Sequence, residues 1–204
     1  MIMYMYKKIL VTNRKICKID LISQLNHLAQ LWDKENAMKP ERIILREKDL
    51  SKTQYEMLAK EVLQFCEKNQ LILTAHTHLD ITKKIACKHL HLSFPAFREY
   101  VPQIAKMKAE QTLCEVGVSV HSIEEAIYVM RHGGDYLTAG HIFATDCKKG
   151  LPPRGLSFLE KICREVPIPV YAIGGIQLRE CEKMEACRQV GVAGVCIMSD
   201  YMKL

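Results

Sequence analysis

Long apolar runs are missing from this 204-residue chain. Nothing approaches the roughly 18 uninterrupted apolar residues a membrane span requires. The opening Met1-Ile2-Met3-Tyr4-Met5-Tyr6-Lys7-Lys8 puts its charges after a short apolar stretch, the reverse of a signal peptide. A cytosolic protein without a membrane partner is expected. Aromatic residues are scarce, with 5 Phe and 1 Trp, and no basic and aromatic residues interleave in the way that stacks single-stranded bases, so nucleic acid is not an expected partner. Runs of five or six like charges are also absent. The 29 Lys and Arg against 23 Asp and Glu leave +6 spread along the chain, a mild excess that suits an anionic small ligand. No C-x-x-C pair occurs among the nine cysteines, and the odd count argues for reduced thiols used mostly as small core residues. With 10 Gly, 49% hydrophobic and 25% charged residues, collagen-like repetition and disorder are both excluded.

What is present is alternation. Short apolar, β-branched runs recur between stretches of helical spacing, the pattern of βα units on a parallel sheet. Eight strands are expected, over residues 8–12, 42–46, 71–74, 89–92, 113–119, 136–140, 169–173 and 194–198. The clearest helix is 53–69, with Met57, Leu58, Val62, Leu63, Phe65 and Cys66 on one side and Lys60, Glu61, Gln64, Glu67 and Lys68 facing out. A second helix, 122–131, opens with Ser122 and Glu125 as a capping box and is stopped by Gly133-Gly134. Eight such units, at roughly 25 residues each, fill the chain as a compact (β/α)8 barrel near the lower size limit, with a doubly wound open sheet as the competing fold. No linker divides residues 1–204, so one barrel domain is expected. Residues 141–154 form a long loop after the sixth strand, and residues 199–204 are too short for a normal last helix. The flank left bare there would be covered by the N-terminal stretch or by a second subunit, which makes a homodimer the expected assembly.

In a parallel barrel, chemistry sits at the C-terminal ends of the strands. The second strand ends in Arg46-Glu47-Lys48, two cations flanking the mouth, or simply a solvated end with a local ion pair. His76 and His78 follow the third strand, and His89 and His91 share a face of the fourth. No Cys, Asp or Glu accompanies these four at ligand spacing, so neither a metal nor a cofactor is expected. Ser119, ending the fifth strand, is a ligand donor or a helix cap. Gly174-Gly175 after the seventh strand and Met198-Ser199 after the eighth match the place where many barrels build a phosphate site from backbone N–H groups and a short helix capped by Ser199.

Three ordered motifs then give a resemblance. They are Gly117-Val118-Ser119-Val120-His121-Ser122-Ile123-Glu124-Glu125-Ala126, the loop from Gly140-His141-Ile142-Phe143 through Thr145-Asp146-Cys147-Lys148, and Pro169-Val170-Tyr171-Ala172-Ile173-Gly174-Gly175-Ile176. On these the chain resembles the thiamine phosphate synthase superfamily, and more closely its thiazole tautomerase (TenI) branch. Similarity is dense over residues 113–199 and loose before, apart from Arg46-Glu47-Lys48. Synthases carry G-P-I-F-x-T-x-T-K in the loop; here His141 replaces the proline and Cys147 the second threonine. They also resemble one another in holding Mg2+ with aspartates after strands three and four, where this chain offers Thr74-Ala75-His76 and Ser93-Phe94-Pro95-Ala96.

What the resemblance implies is an isomerase of thiamine biosynthesis. It would move a proton in a non-aromatic thiazole carboxylate phosphate, with His141 as acid and base, since imidazole both takes and gives a proton near neutral pH. Gly174, Gly175, Met198 and Ser199 would hold the phosphate, and Arg46, Lys48, Ser119 and Lys148 would bind the rest of the anion. Cys147 is either a thiol activated by its lysine neighbours or plain loop packing. Two other readings stay open: a thiamine phosphate synthase with a rebuilt metal site, and a barrel that binds a thiamine-pathway metabolite without catalysis.

Overall fold

The computed structural model describes residues 6–148 and 150–204. Eight parallel strands close into a barrel in sequence order, the last pairing with the first. They are β1 Lys7–Val11, β2 Arg42–Leu45, β3 Ile72–His76, β4 His89–Ser93, β5 Glu115–Val120, β6 Tyr136–Gly140, β7 Val170–Ile173 and β8 Gly194–Ile197. The helices between and after them are α1 Leu21–Lys34, α2 Lys52–Lys68, α3 Leu79–Lys84, α4 Phe94–Ala109, α5 Ile123–Arg131, α6 Gly155–Glu165, α7 Cys181–Gln189 and α8 Ser199–Lys203. The open doubly wound sheet is thereby excluded.

Side-chain alternation along the strands divides the core in two. One set, including Leu10, Ile43, Leu45, Leu73, Leu90, Val116 and Val195, packs outward under the helices. The other, Ile9, Val11, Ile44, Tyr136, Tyr171 and Cys196, packs inside the barrel. The interior is not wholly apolar. Arg42, Thr74, His91 and Thr138 are buried there as well, held by hydrogen bonds that run from one strand to the next.

Local chemistry explains the helix ends. Ser51 and Gln54 satisfy each other's backbone N–H groups in a complete capping box before α2. Before α5, only half of the expected box forms. Ser122 accepts from the Glu125 N–H at 3.1 Å, but the Glu125 carboxylate accepts from the N–H of His121, not of Ser122. The buried face of α2 is Tyr55, Ala59, Val62, Phe65 and Cys66, whereas Met57, expected on that face, is 62% exposed. A helix begun at Lys52 turns the 55-59-62-66 row inward, and Tyr55 leads it because its hydroxyl donates to the Leu45 carbonyl at 2.8 Å.

Two boundary differences matter for the site. β3 runs on to His76, where the expected strand stopped at Thr74. The His76 N–H donates to the Tyr55 hydroxyl and the Thr77 N–H to the His91 carbonyl, at 2.8 and 3.0 Å, so the backbone stays extended. At the other end, α8 has five residues, as short as the sequence implied, yet the chain covers it. Tyr201 and Met202 are fully buried. The Tyr201 hydroxyl donates to the Met38 carbonyl at 2.7 Å, Gln24 Nε2 donates to the Tyr201 carbonyl at 2.9 Å, and Trp32 meets the Tyr201 ring edge-on. The bare flank from which a second subunit was expected does not exist there. Among the described residues, no helix is long and apolar enough to cross a membrane.

Candidate functional site

The loop after β6 is tied back at its root. The His141 and Ile142 carbonyls accept from the Arg154 and Gly155 N–H groups at 2.9 and 3.1 Å. The Ile142 and Phe143 N–H groups donate to the Ile173 and Gly174 carbonyls at 3.0 and 3.1 Å. The loop therefore lies on the end of β7, and the two glycines there leave room for it. A Cβ on Gly174 would overlap the Cβ of His141 and stand 2.9 Å from its Cα, and one on Gly175 would stand 2.5 Å from the Ala144 carbonyl oxygen. Both glycines also have positive φ, +101° and +70°, which disfavours a side chain independently of the space.

Between this loop and the ends of β7 and β8 opens a cavity of about 620 Å³. Of the expected site residues, Gly174, Gly175, Met198, Ser199 and the neighbouring Cys147 line it, together with Asp146, Gln177, Lys183, Asp200 and Lys203. Ser199 does not cap α8 as expected. Met198 occupies the cap position, and Ser199 is the first helical residue, its Oγ 3.6 Å from Cys147 Sγ. Two lysines of the wall escaped sequence reasoning, Lys183 from α7 and Lys203 from α8. Lys183 Nζ donates to the Gly175 carbonyl at 2.9 Å and stands 5.4 Å from the Phe143 ring centre, so it braces the glycine turn and the loop together. No motif marked it, because only the fold brings α7 over that turn.

Arg46, Lys48 and Lys148 do not line this cavity. Arg46 and Lys48 follow the C-terminal end of β2 and Lys148 lies in the loop after β6, all three on the mouth side of the barrel. Partial burial, then the charges of Arg46 and Lys148, hold the Lys48 ammonium below its ordinary pKa. Glu47 contributes nothing to the mouth, since its buried carboxylate accepts from the Arg14 backbone N–H at 3.0 Å. Ser119 belongs neither to the cavity wall nor to a helix cap. Its Oγ lies 2.9 Å from His91 Nε2 and 3.0 Å from Thr138 Oγ1, inside the barrel.

The four histidines in and after strands three and four divide among three places. His76 and His91 stack at 6.0 Å between ring centres, His78 packs on Tyr55, and His89 Nδ1 lies 3.1 Å from Glu115 Oε2 toward the barrel floor. Among the described residues no three His, Cys, Asp or Glu converge on a point. Burial, then the neighbouring His91 ring, the positive charges of Arg46 and Lys48, and His78 nearby, hold His76 far below the usual imidazole pKa. Burial likewise pushes His91 down to about 3, with Arg42 and Arg46 adding to it. Both rings are neutral at physiological pH.

His141 is half-buried at the loop root and outside the wall of the 620 Å³ cavity. Its peptide bond to Gly140 is cis, and its Nε2 lies 3.3 Å from the Leu151 carbonyl oxygen. A carbonyl only accepts, so Nε2 carries a proton, and in the neutral ring it is Nδ1 that holds the lone pair. Nδ1 has no hydrogen-bond partner among the described residues. Next to it, the Gly140 carbonyl accepts from His121 Nδ1 at 2.9 Å.

The sequence model of a family described as thiamine monophosphate synthase matches residues 9–201. The chain belongs to this family. A putative thiamine-phosphate synthase 2 from Aquifex aeolicus is 33% identical over 159 residues, covering 78% of this chain and 81% of the relative. A thiamine-phosphate synthase from Clostridium acetobutylicum is 32% identical over 203 residues, covering 97% and 87%. Among solved structures, a thiamine phosphate pyrophosphorylase from Pyrococcus furiosus superposes with a TM-score of 0.75 at 25% identity, over 96% of this chain and 86% of that one. The superfamily expected from the three motifs and the barrel expected from the alternation of strands and helices are therefore both observed.

Proposed function

We propose that the chain is a thiazole tautomerase, with His141 as the acid and base and the Gly174-Gly175-Ser199 corner as the phosphate anchor. The observation that carries the reading is the contact of His141 with Gly174. It puts a residue that can shuttle a proton at the rim of the glycine turn, where the related synthases carry a proline that cannot. Nδ1, the nitrogen with the free lone pair, takes a proton from the thiazole ring carbon, and the imidazolium so formed returns a proton to the far end of the conjugated system. Composition does not change and no oxidant is consumed. Aromatisation supplies the driving force, and the Leu151 carbonyl holds the ring in one tautomer throughout. Arg46, Lys48 and Lys148 are assigned to the second negative end of the substrate.

The ends of β3 and β4 support this reading against diphosphate release. They present His76, Thr77 and Ser93, with no carboxylate, and Mg2+ takes hard oxygen ligands, above all carboxylates. The residues present do not fit that ion, and no step is routed through it. The second reading, a thiamine-phosphate synthase, is favoured by the names of the relatives. Proton NMR in deuterated water separates the two. A tautomerase incorporates deuterium into the thiazole phosphate and converts it to the aromatic form. Stoichiometric diphosphate release from a pyrimidine diphosphate and thiazole phosphate, with no tautomerisation, overturns the proposal in favour of the synthase.

A further inference from the structure

Inside the barrel, beneath the mouth, four side chains form a hydrogen-bonded line. Tyr136 Oη is 3.1 Å from His91 Nδ1, His91 Nε2 is 2.9 Å from Ser119 Oγ and 3.4 Å from Thr138 Oγ1, and Ser119 Oγ is 3.0 Å from Thr138 Oγ1. Tyr136 and His91 are buried, while Ser119, near the C-terminal end of β5, is half-buried. Each hydroxyl and each imidazole nitrogen can in principle donate or accept, so the line has two possible polarities.

Arg42 decides between them. Its Cζ lies 5.0 Å from the Tyr136 ring centre, and its Nη1 is paired with Glu115 at 2.5 Å. A guanidinium beside the phenol disfavours a hydroxyl proton turned toward it. Arg42 can only donate to the Tyr136 oxygen, and His91 Nδ1 is the acceptor within hydrogen-bond distance of that hydroxyl. A buried O–H finds an acceptor, so Tyr136 donates and Nδ1 accepts. A neutral imidazole that accepts at Nδ1 carries its proton at Nε2. The neutral state is secured by burial and by the positive charges facing the ring, Arg42 from β2 and Arg46 just past its end, with His76 stacked from β3 and no carboxylate in contact. Nε2–H then donates to Ser119.

We propose that His91 is a positioning residue: as its Nε2–H tautomer it occupies a lone pair of Ser119, and so turns the Ser119 hydroxyl into a donor that selects ligands presenting an acceptor oxygen at the mouth. Thr138 completes the arrangement by donating to Ser119 when the serine proton is drawn to a ligand. The inference rests on the reading that the substrate anion spans the mouth.

Two measurements on the full chain test it. Long-range proton–nitrogen spectra of the nitrogen-15-labelled protein report the tautomer of each histidine. His91 is expected to show the Nε2–H pattern, unchanged from about pH 5.5 to about pH 8.5. An Nδ1–H pattern, or titration within that window, overturns the proposal. Calorimetry then follows binding of the aromatic thiazole carboxylate phosphate. Ser119→Ala and His91→Leu should each weaken it about tenfold, and the double variant no further. His91→Gln, which accepts through its carbonyl and donates through its amide, should bind within about threefold of wild type. Undiminished binding by a folded His91→Leu protein, or additive losses in the double variant, overturns the proposal. A wild-type protein that does not bind the probe sinks the proposed function instead, and the tautomer spectrum still decides the polarity of the line.

Discussion

His141 and Gly174 share one contact surface, because the β6 loop lies so close to the end of β7 that a side chain at position 174 would overlap the histidine. The glycine thus holds the proposed proton carrier against the proposed phosphate anchor. Gly174→Ala meets both the overlap and a φ of +101°. A loss of about 3 kcal/mol is expected, read as a lower urea midpoint at unchanged m-value, and tautomerase turnover should fall with it. A fully stable Gly174→Ala protein would mean that the loop lifts freely from β7.

His141→Gln keeps a side chain of similar reach that cannot carry a proton. Turnover should fall by about a hundredfold or more, while affinity for the thiazole phosphate stays within about threefold, since the anchor is elsewhere. Steady-state kinetics beside calorimetry separates the two effects. Equal losses in kcat and binding would make the residue an anchor.

Acid should destabilise the protein earlier than carboxylates alone would. His91 is held at about 3 against an ordinary 6.5, so below 6.5 the unfolded chain takes up a proton that the folded chain refuses. This contribution is fully present above pH 6.5 and is lost on acidification toward pH 3, with a slope of about 1.4 kcal/mol per pH unit. His76, shifted in the same direction, adds to it. Burial alone would raise Glu115, but His89 and Arg42 outweigh it and hold the carboxyl at about 2 against 4.5, which extends the loss below pH 4.5. Urea unfolding of His91→Gln between about pH 6 and 4.5 should show a slope shallower by roughly that single-group amount. An unchanged slope would mean that His91 is protonated in the folded state.

Tyr201 closes the barrel where the last helix is short. Tyr201→Phe removes one buried hydrogen bond, to the Met38 carbonyl, and should cost about 1 kcal/mol. Tyr201→Ala empties a fully buried site facing Trp32 and should cost about 3 to 5 kcal/mol. Sedimentation of the wild type beside these variants checks the covered flank. If Tyr201→Ala is tolerated while a dimer forms through that flank, the partner and not α1 supplies the packing.

The sequence by itself determined the eight βα units, the short last helix, the long loop after β6 and the gathering of Gly174, Gly175, Met198 and Ser199 in one corner. These follow from local signals: short apolar, β-branched runs, glycine pairs and motif spacing survive in one dimension. Tertiary structure alone decided which way side chains face and what they meet. His89 and His91 share a strand face, yet one is drawn to Glu115 and the other to Ser119, because each meets a different level of β5. Lys183 braces the glycine turn from a helix whose orientation no neighbouring residue encodes. The tautomers of His141 and His91 depend on Leu151 and on Tyr136 with Arg42. A proton's position on imidazole is set by what stands across a hydrogen bond, and for His91 that neighbour comes from another strand, brought alongside only when the barrel closes.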